Sequence, residues 1–165
     1  MSSSDTKKRI LRLLQKNARM PAQEIADRLQ ISVEEVNDLV RDMEDDRTII
    51  GYGVFVNDDN LQESPVRALI EVEVSPERDG GFDRIARAVS RFPEVRTVQL
   101  LSGSYDLSLE VVGNTLQDVA QFVASKLAVQ EGVRATRTHF LLRKYKEAGF
   151  VRHEEEEYER LKVAP

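Results

Sequence analysis

Apolar positions in the first 46 residues recur at intervals of three and four, which predicts helices. Ile10, Leu11, Leu14 and Ala18 share one face of a helix over 5–17, with Asp5 or Thr6 available to cap its start. Pro21 suits the first turn of a second helix, where its missing N–H costs nothing, and Ile25, Ala26 and Leu29 form its inner face. After a break at Gln30-Ile31-Ser32, the run Ser32-Val-Glu-Glu35 has capping-box spacing. Val36, Leu39, Val40 and Met43 then predict a third helix to about Asp46. Three short helices with a tight turn between the last two read as a helix-turn-helix or as a plain three-helix cap.

The pattern changes after residue 47. The stretch 48–57 is rich in β-branched and aromatic residues and predicts a linking strand, broken at Asn57-Asp-Asp-Asn60 before a hinge ending near Pro65. Val66, Ala68, Ile70, Val72 and Val74 alternate with Arg67, Leu69, Glu71 and Glu73, the mark of a half-buried strand. A helix stripe follows in Phe82, Ile85, Ala86, Val89 and Phe92, then a strand over 95–101. Ser102-Gly103-Ser104 makes a tight connection to another strand with Leu107, Leu109 and Val111 on one side. Thr115 caps a helix with Leu116, Val119, Ala120, Val123 and Leu127 expected inside, and a last strand runs from Val133 to about Lys144. The order β-α-β-β-α-β is the ferredoxin-like split motif, so the fold class is α+β. Its two helices cover one sheet face. Leu69, Val98, Leu100, Phe140 and Leu142 are expected on the other, an apolar surface that packing against a second copy would bury. The expected domains are 1–47, the link 48–65, 66–147 and an acidic tail 148–165.

Composition narrows the function. The 165 residues include no cysteine, which excludes disulfides, thiolate zinc sites and a cysteine nucleophile. The two histidines, His139 and His153, are too few for a His-rich metal site, so neither metal nor cofactor is expected. No apolar run approaches the roughly 20 residues of a membrane span, and the start leads into no apolar signal segment, so a cytoplasmic protein without a membrane role is expected. The net charge of −5 is uneven: residues 1–31 carry seven Lys/Arg against three Asp/Glu, and residues 32–60 carry two against nine. The basic front keeps nucleic acid in view despite the acidic balance. The run Glu154-Glu-Glu-Glu157 reads as a solvated tail, with Tyr158, Leu161 and Val163 as an alternative docking stripe. No phosphate loop, dinucleotide fingerprint, H-E-x-x-H or G-x-S-x-G is present, and His139 reads as a sheet or interface residue rather than a catalyst.

Ordered segments carry a resemblance: Ile10-Leu11-x-x-Leu14-x-x-Asn17-Ala18-Arg19, Glu24-Ile25-Ala26, Ile31-Ser32-x-x-x-Val36, Glu44, Ile50-Gly51-Tyr52, Gly103-Ser104-Tyr105-Asp106 and Thr136-Arg137-Thr138. Together they resemble the Lrp/AsnC (feast/famine) transcription regulators over roughly residues 5–145. The resemblance implies a winged-helix-like DNA-binding domain and a ferredoxin-like (RAM) domain for effector binding and oligomerisation. It implies double-stranded promoter DNA as partner, a homodimer or octamer, and an amino-acid effector. The effector site carries over to Gly103, Ser104, Tyr105 and Asp106, with Thr136 and Thr138. A glycine turn exposing backbone N–H groups suits a carboxylate, and Asp106 suits an ammonium; the alternative is a hairpin glycine with Asp106 capping it.

Two departures stand out. The family usually has glycine at the position of Gln30, and its recognition helix is normally basic, whereas here Asp38 and Asp42 stand beside Glu34 and Glu35. Base contacts are then expected from Glu34, Asn37, Asp38 and Arg41 with Ser32 at the helix start, and phosphate contacts from Lys7, Lys8, Arg9, Arg12, Arg19 and Arg28. Two other functions are weighed: a small-molecule-sensing oligomeric subunit whose DNA binding is weakened or lost, and a sirohaem-decarboxylase-like enzyme, against which the scarcity of histidine argues.

Overall fold

The computed structural model describes residues 3–75 and 81–152. The chain divides into two compact units between Phe55 and Val56. The first holds α1 (Ser3–Lys16), α2 (Ala22–Leu29) and α3 (Val33–Asp45). Ile10, Ile25, Ala26, Leu29, Val36, Leu39 and Met43 bury together, with Leu11, Leu14 and Val40 packed around them. Each helix thus contributes an apolar stripe too short to be stable alone. Ala18 lies past the end of α1 and is exposed, so it is not part of that stripe.

Both boundaries around the turn have local causes. Gln30 sits in left-handed backbone at φ 57° and ψ 46°, and its N–H donates to the Ala26 carbonyl, closing α2. Ser32 starts α3, its hydroxyl accepting from the Glu35 N–H at 3.1 Å. At the far end, the Tyr52 hydroxyl donates to Glu44 Oε1 at 2.7 Å. That bond to a carboxylate, with burial, pushes the phenol up to about 12 and ties the segment after α3 back to the helix.

The second unit contains β1 (Val66–Val74), α4 (Gly81–Val89), β2 (Val95–Leu100), β3 (Leu107–Gly113), α5 (Leu116–Phe122) and β4 (Val133–Phe140). The antiparallel sheet has the order β2-β3-β1-β4, as the split motif requires. Two further strands, β5 (Lys146–Glu147) and β6 (Phe150–Val151), form a small hairpin. Ala68, Ile70, Val72 and Val74 of β1 bury against Ile85, Val89, Val119, Phe122 and Leu127 of the helical layer. Thr115 caps α5 with a full capping box, its hydroxyl accepting from the Asp118 N–H while Asp118 accepts from the Thr115 N–H. A π-helical turn over Val123–Leu127 then carries the chain on.

Four expectations change here. The stretch 48–57 is extended in part but forms no strand among the described residues, because no neighbouring strand offers it a ladder. The supposed apolar open face is largely polar. Val98 pairs with Leu109, Leu100 with Leu107 and Phe140 with Ala68, which puts all three on the helix side; only Leu69 remains opposite, beside Glu71, Glu73, Glu110, Arg137 and His139. The reason is a bulge in each edge strand, at Arg96 and at Arg134, which resets the alternation that the sequence displays. Leu142 lies beyond β4 and is 95% exposed. Leu116 and Ala120 face solvent, and the buried residues of this segment are Val119, Phe122 and Leu127. Finally, residues 148–152 belong to the β5–β6 hairpin, where Arg152 pairs with Asp58 at 3.1 Å; residues 153–165, including His153 and the Glu154 run, lie outside the described residues.

The left-handed turn yields a stability prediction. A non-glycine residue there costs about 1–2 kcal/mol, and glycine returns part of that through its greater unfolded-state freedom. Gln30→Gly is expected to stabilise the first unit by about 0.5–1 kcal/mol in thermal unfolding followed by circular dichroism, while Gln30→Ala gives no gain.

Candidate functional site

Two sites emerge, one in each unit. On α3, Glu34, Asn37, Asp38 and Arg41 are all exposed and follow helical spacing on the side away from Val36, Leu39 and Met43. They form one stripe able to present hydrogen-bonding groups to a groove. Ser32 is at the helix start but spends its hydroxyl on the cap. The acidity of the stripe is partly neutralised from within. Arg41 pairs with Asp38 at 3.2 Å, and Lys7 reaches from α1 to Asp42 at 3.3 Å. Arg28 is tied to Glu24 at 2.7 Å. Lys8, Arg12 and Arg19 are exposed and make no ion pair among the described residues, and Arg9 is half-buried. The cations proposed for phosphate therefore split: Lys7 and Arg28 are engaged, Lys8, Arg12 and Arg19 are available.

The second site lies at the end of the sheet where β1 finishes and β3 begins. A recess of about 100 Å³ is lined by Glu71 and Glu73 of β1, Tyr105 of the connection, and Ala135, Thr136 and Arg137 of β4. Of the expected effector residues, Tyr105 and Thr136 are among those that line it. Thr138 sits opposite Ile70, two cross-strand pairs further along, and does not line it. Gly103 and Ser104 are exposed. Gly103 has no positive φ, and an added Cβ would meet nothing within 4 Å, so it is not there for a strained hairpin.

Asp106 has a structural task. One carboxylate oxygen accepts from the Val74 N–H at 2.8 Å, and the Asp106 N–H donates to the Val72 carbonyl at 3.0 Å. This fixes the loop to the end of β1 and leaves the other oxygen for a further donor. Sequence reasoning missed Glu71, Glu73 and Arg137 as site residues. Arg137 pairs with Glu71 at 3.1 Å, and His139 Nε2 lies 3.4 Å from the same carboxylate. Their signal was the polar half of the β1 alternation, but their apposition needs the β1–β4 pairing. Among the described residues no cluster of His, Asp and Glu could hold a metal ion, and no helix is long and apolar enough to cross a membrane.

Comparison with known proteins places both units. Residues 3–50 match a winged helix-turn-helix DNA-binding family, and residues 67–150 match the Lrp/AsnC ligand binding domain. The chain is 37% identical, over the full length of both, to a Bacillus subtilis protein named as an uncharacterized HTH-type transcriptional regulator, YugG. It is 31% identical to the leucine-responsive regulatory protein of Rhizobium meliloti, over 85% of this chain and 89% of that one. Among solved structures, MtbAldR superposes with a TM-score of 0.74 at 25% identity, covering 86% of this chain and 95% of that one. A Neisseria meningitidis transcriptional regulator crystallised with L-Met superposes at 0.67 with 24% identity, covering 86% and 91%, and so attests the fold. With a helix-turn-helix unit joined to a ferredoxin-like ligand-binding unit, the chain belongs to the Lrp/AsnC family of DNA-binding transcription regulators.

Proposed function

We propose that this regulator acts as a homo-oligomer, at least a dimer, which contacts double-stranded promoter DNA through the exposed stripe of α3 and answers to a small amino acid held in the recess beside Asp106. The observation that carries the effector reading is the recess itself. Arg137 offers a guanidinium to a carboxylate and Glu73 an acceptor to an ammonium, and Asp106, which follows Tyr105 of the lining in the chain, would add the second acceptor. A volume of about 100 Å³ is about three waters' worth, room for an α-carbon and its two charged groups. The names of two similar proteins, one leucine-responsive and one crystallised with L-Met, agree with this ligand class.

Oligomerisation is supported by apolar side chains left in water. Ile50 and Val54 are each 84% exposed in the first unit, as are Leu100 and Leu142 to a large degree in the second. A further support is affinity. One α3 with so much acid binds a polyanion weakly, and joining several such units raises the effective concentration of each.

Two outcomes follow. Sedimentation velocity at micromolar concentration is expected to show at least twice the 18.8 kDa of one chain, and a lone 18.8 kDa species contradicts the proposal. Calorimetric titration with the standard amino acids is expected to find at least one whose binding weakens ten-fold or more in Asp106→Asn, which keeps an acceptor for Val74 but removes the charge. Unchanged heats in that variant reject the recess as the effector site.

A further inference from the structure

The recess beside Asp106 carries more acid than base, and the register of the sheet shows where the excess lies. On β1, Glu71 is paired across to Arg137, and Glu73 is paired across to Ala135. The two carboxylates lie on one side of the strand, two residues and about 6.6 Å apart at 3.3 Å per residue. Glu71 is compensated by its neighbours: Arg137 lies 3.1 Å from one of its oxygens and His139 Nε2 3.4 Å from the other. Glu73 has only a methyl group across from it. It is half-buried, lines the recess, and makes no ion pair or side-chain hydrogen bond among the described residues. The position opposite a carboxylate is where a cation stabilises a sheet, and alanine leaves that place open.

Asp106 adds to the excess. Its bonds to Val72 and Val74, the residues flanking Glu73, hold a further carboxylate at the same end of β1. Arg137 is the only cation among the described residues that line the recess. A zwitterion with a neutral side chain answers Arg137 and one of the two carboxylates that lack a cation, and leaves the other unanswered. A ligand with a second ammonium answers both. The step along β1 from the Glu71–Arg137 pair to Glu73 suits such a molecule. In ornithine, five bonds of about 1.5 Å separate the carboxylate carbon from the terminal nitrogen, enough to cover that step when extended.

Resting on the reading of the recess as the effector site, we propose that it selects a basic amino acid, with Glu73 as the specificity-determining residue. The α-carboxylate lies on Arg137, the α-ammonium on Asp106, and the side-chain ammonium over Ala135 against Glu73. Ala135 is part of the site, because a longer side chain there fills the place that the cation of the ligand takes. An acceptor left without its donor disfavours any analogue that lacks the matching group, so the discrimination falls on the terminal ammonium.

The test is calorimetric titration of the full chain with L-ornithine and with L-norleucine, which has a methyl group in place of the terminal ammonium. Ornithine is expected to bind at least ten-fold more tightly than norleucine. In Glu73→Gln, and separately in Ala135→Lys, which sets a cation of the chain's own opposite Glu73, that ratio is expected to fall below three. 1,4-Diaminobutane, which lacks the carboxylate, is expected to bind at least ten-fold more weakly than ornithine. A wild-type ratio below ten overturns the proposal, as does a high ratio that survives either substitution, or diaminobutane binding within ten-fold of ornithine. Asp106→Asn separates this inference from the reading it rests on. Weakening of norleucine in that variant with no wild-type preference for ornithine sinks the selectivity and keeps the recess. Binding that ignores Asp106→Asn, or no heat from either amino acid at millimolar concentration, sinks both.

Discussion

Neutralising the acid on α3 is the condition on which contact with DNA rests. The helix carries Glu34, Glu35, Asp38, Asp42, Glu44 and Asp45 against Arg41 alone, and phosphate repels every uncompensated carboxylate. The fold supplies two compensations, Lys7 on Asp42 and Arg41 on Asp38. Both pairs are partly exposed, so each contributes little to stability. Their consequence is positional: Asp38 and Arg41 are presented together as a hydrogen-bonding pair rather than as separate charges. A carboxylate accepts from cytosine N4 and a guanidinium donates to guanine, so on the proposed reading this stripe meets base edges and the phosphate contacts come from α1 and the loop before α2. Lys8, Arg12 and Arg19 stand there with no ion pair among the described residues.

In the second unit the corresponding constraint is the parity of β1. Ala68, Ile70, Val72 and Val74 are at most 3% exposed, and a slip of one residue would exchange them for Arg67, Leu69, Glu71 and Glu73. That choice leaves the uncovered face charged. It is stitched by ion pairs, Arg67 to Asp58 and Glu110, Lys144 to Glu110 and Glu147, and Arg152 to Asp58. Burial pushes the Asp58 carboxyl up, but hydrogen bonds from Arg67 and Arg152 outweigh it and hold the group below the usual carboxylate range. The stitching therefore persists above the unfolded carboxylate range and loosens as pH falls through the lowered value. Polar, partly buried surface of this kind fits a face that meets another surface as well as water.

Features written into a few neighbouring residues were legible without coordinates. The caps at Ser32 and Thr115 follow from a hydroxyl three residues before an acidic side chain, and the order of strands and helices follows from two changes of period. The left-handed Gln30 was legible only through the resemblance. What escaped depends on pairing at a distance. The bulges at Arg96 and Arg134 leave no mark in the alternation, yet they decide that Val98, Leu100 and Phe140 face the helices. Glu71 and Arg137 are 66 residues apart and meet only because β4 joins the edge of β1. The apolar stretch 48–57 has the composition of a strand, but a strand also needs a neighbour, which one chain does not offer it among the described residues.

The salt dependence of DNA affinity tests the division of labour on the helical unit most directly. With three of the proposed phosphate cations available per chain and two chains per site, log K against log salt for the DNA upstream of the protein's own coding sequence is expected to fall with a slope of about −5, at about 0.9 per phosphate neutralised. Replacing Lys8, Arg12 and Arg19 by alanine together is expected to flatten that line towards zero while the ranking of DNA sequences stays the same. A slope that survives the triple replacement, or a ranking that collapses with it, contradicts the account.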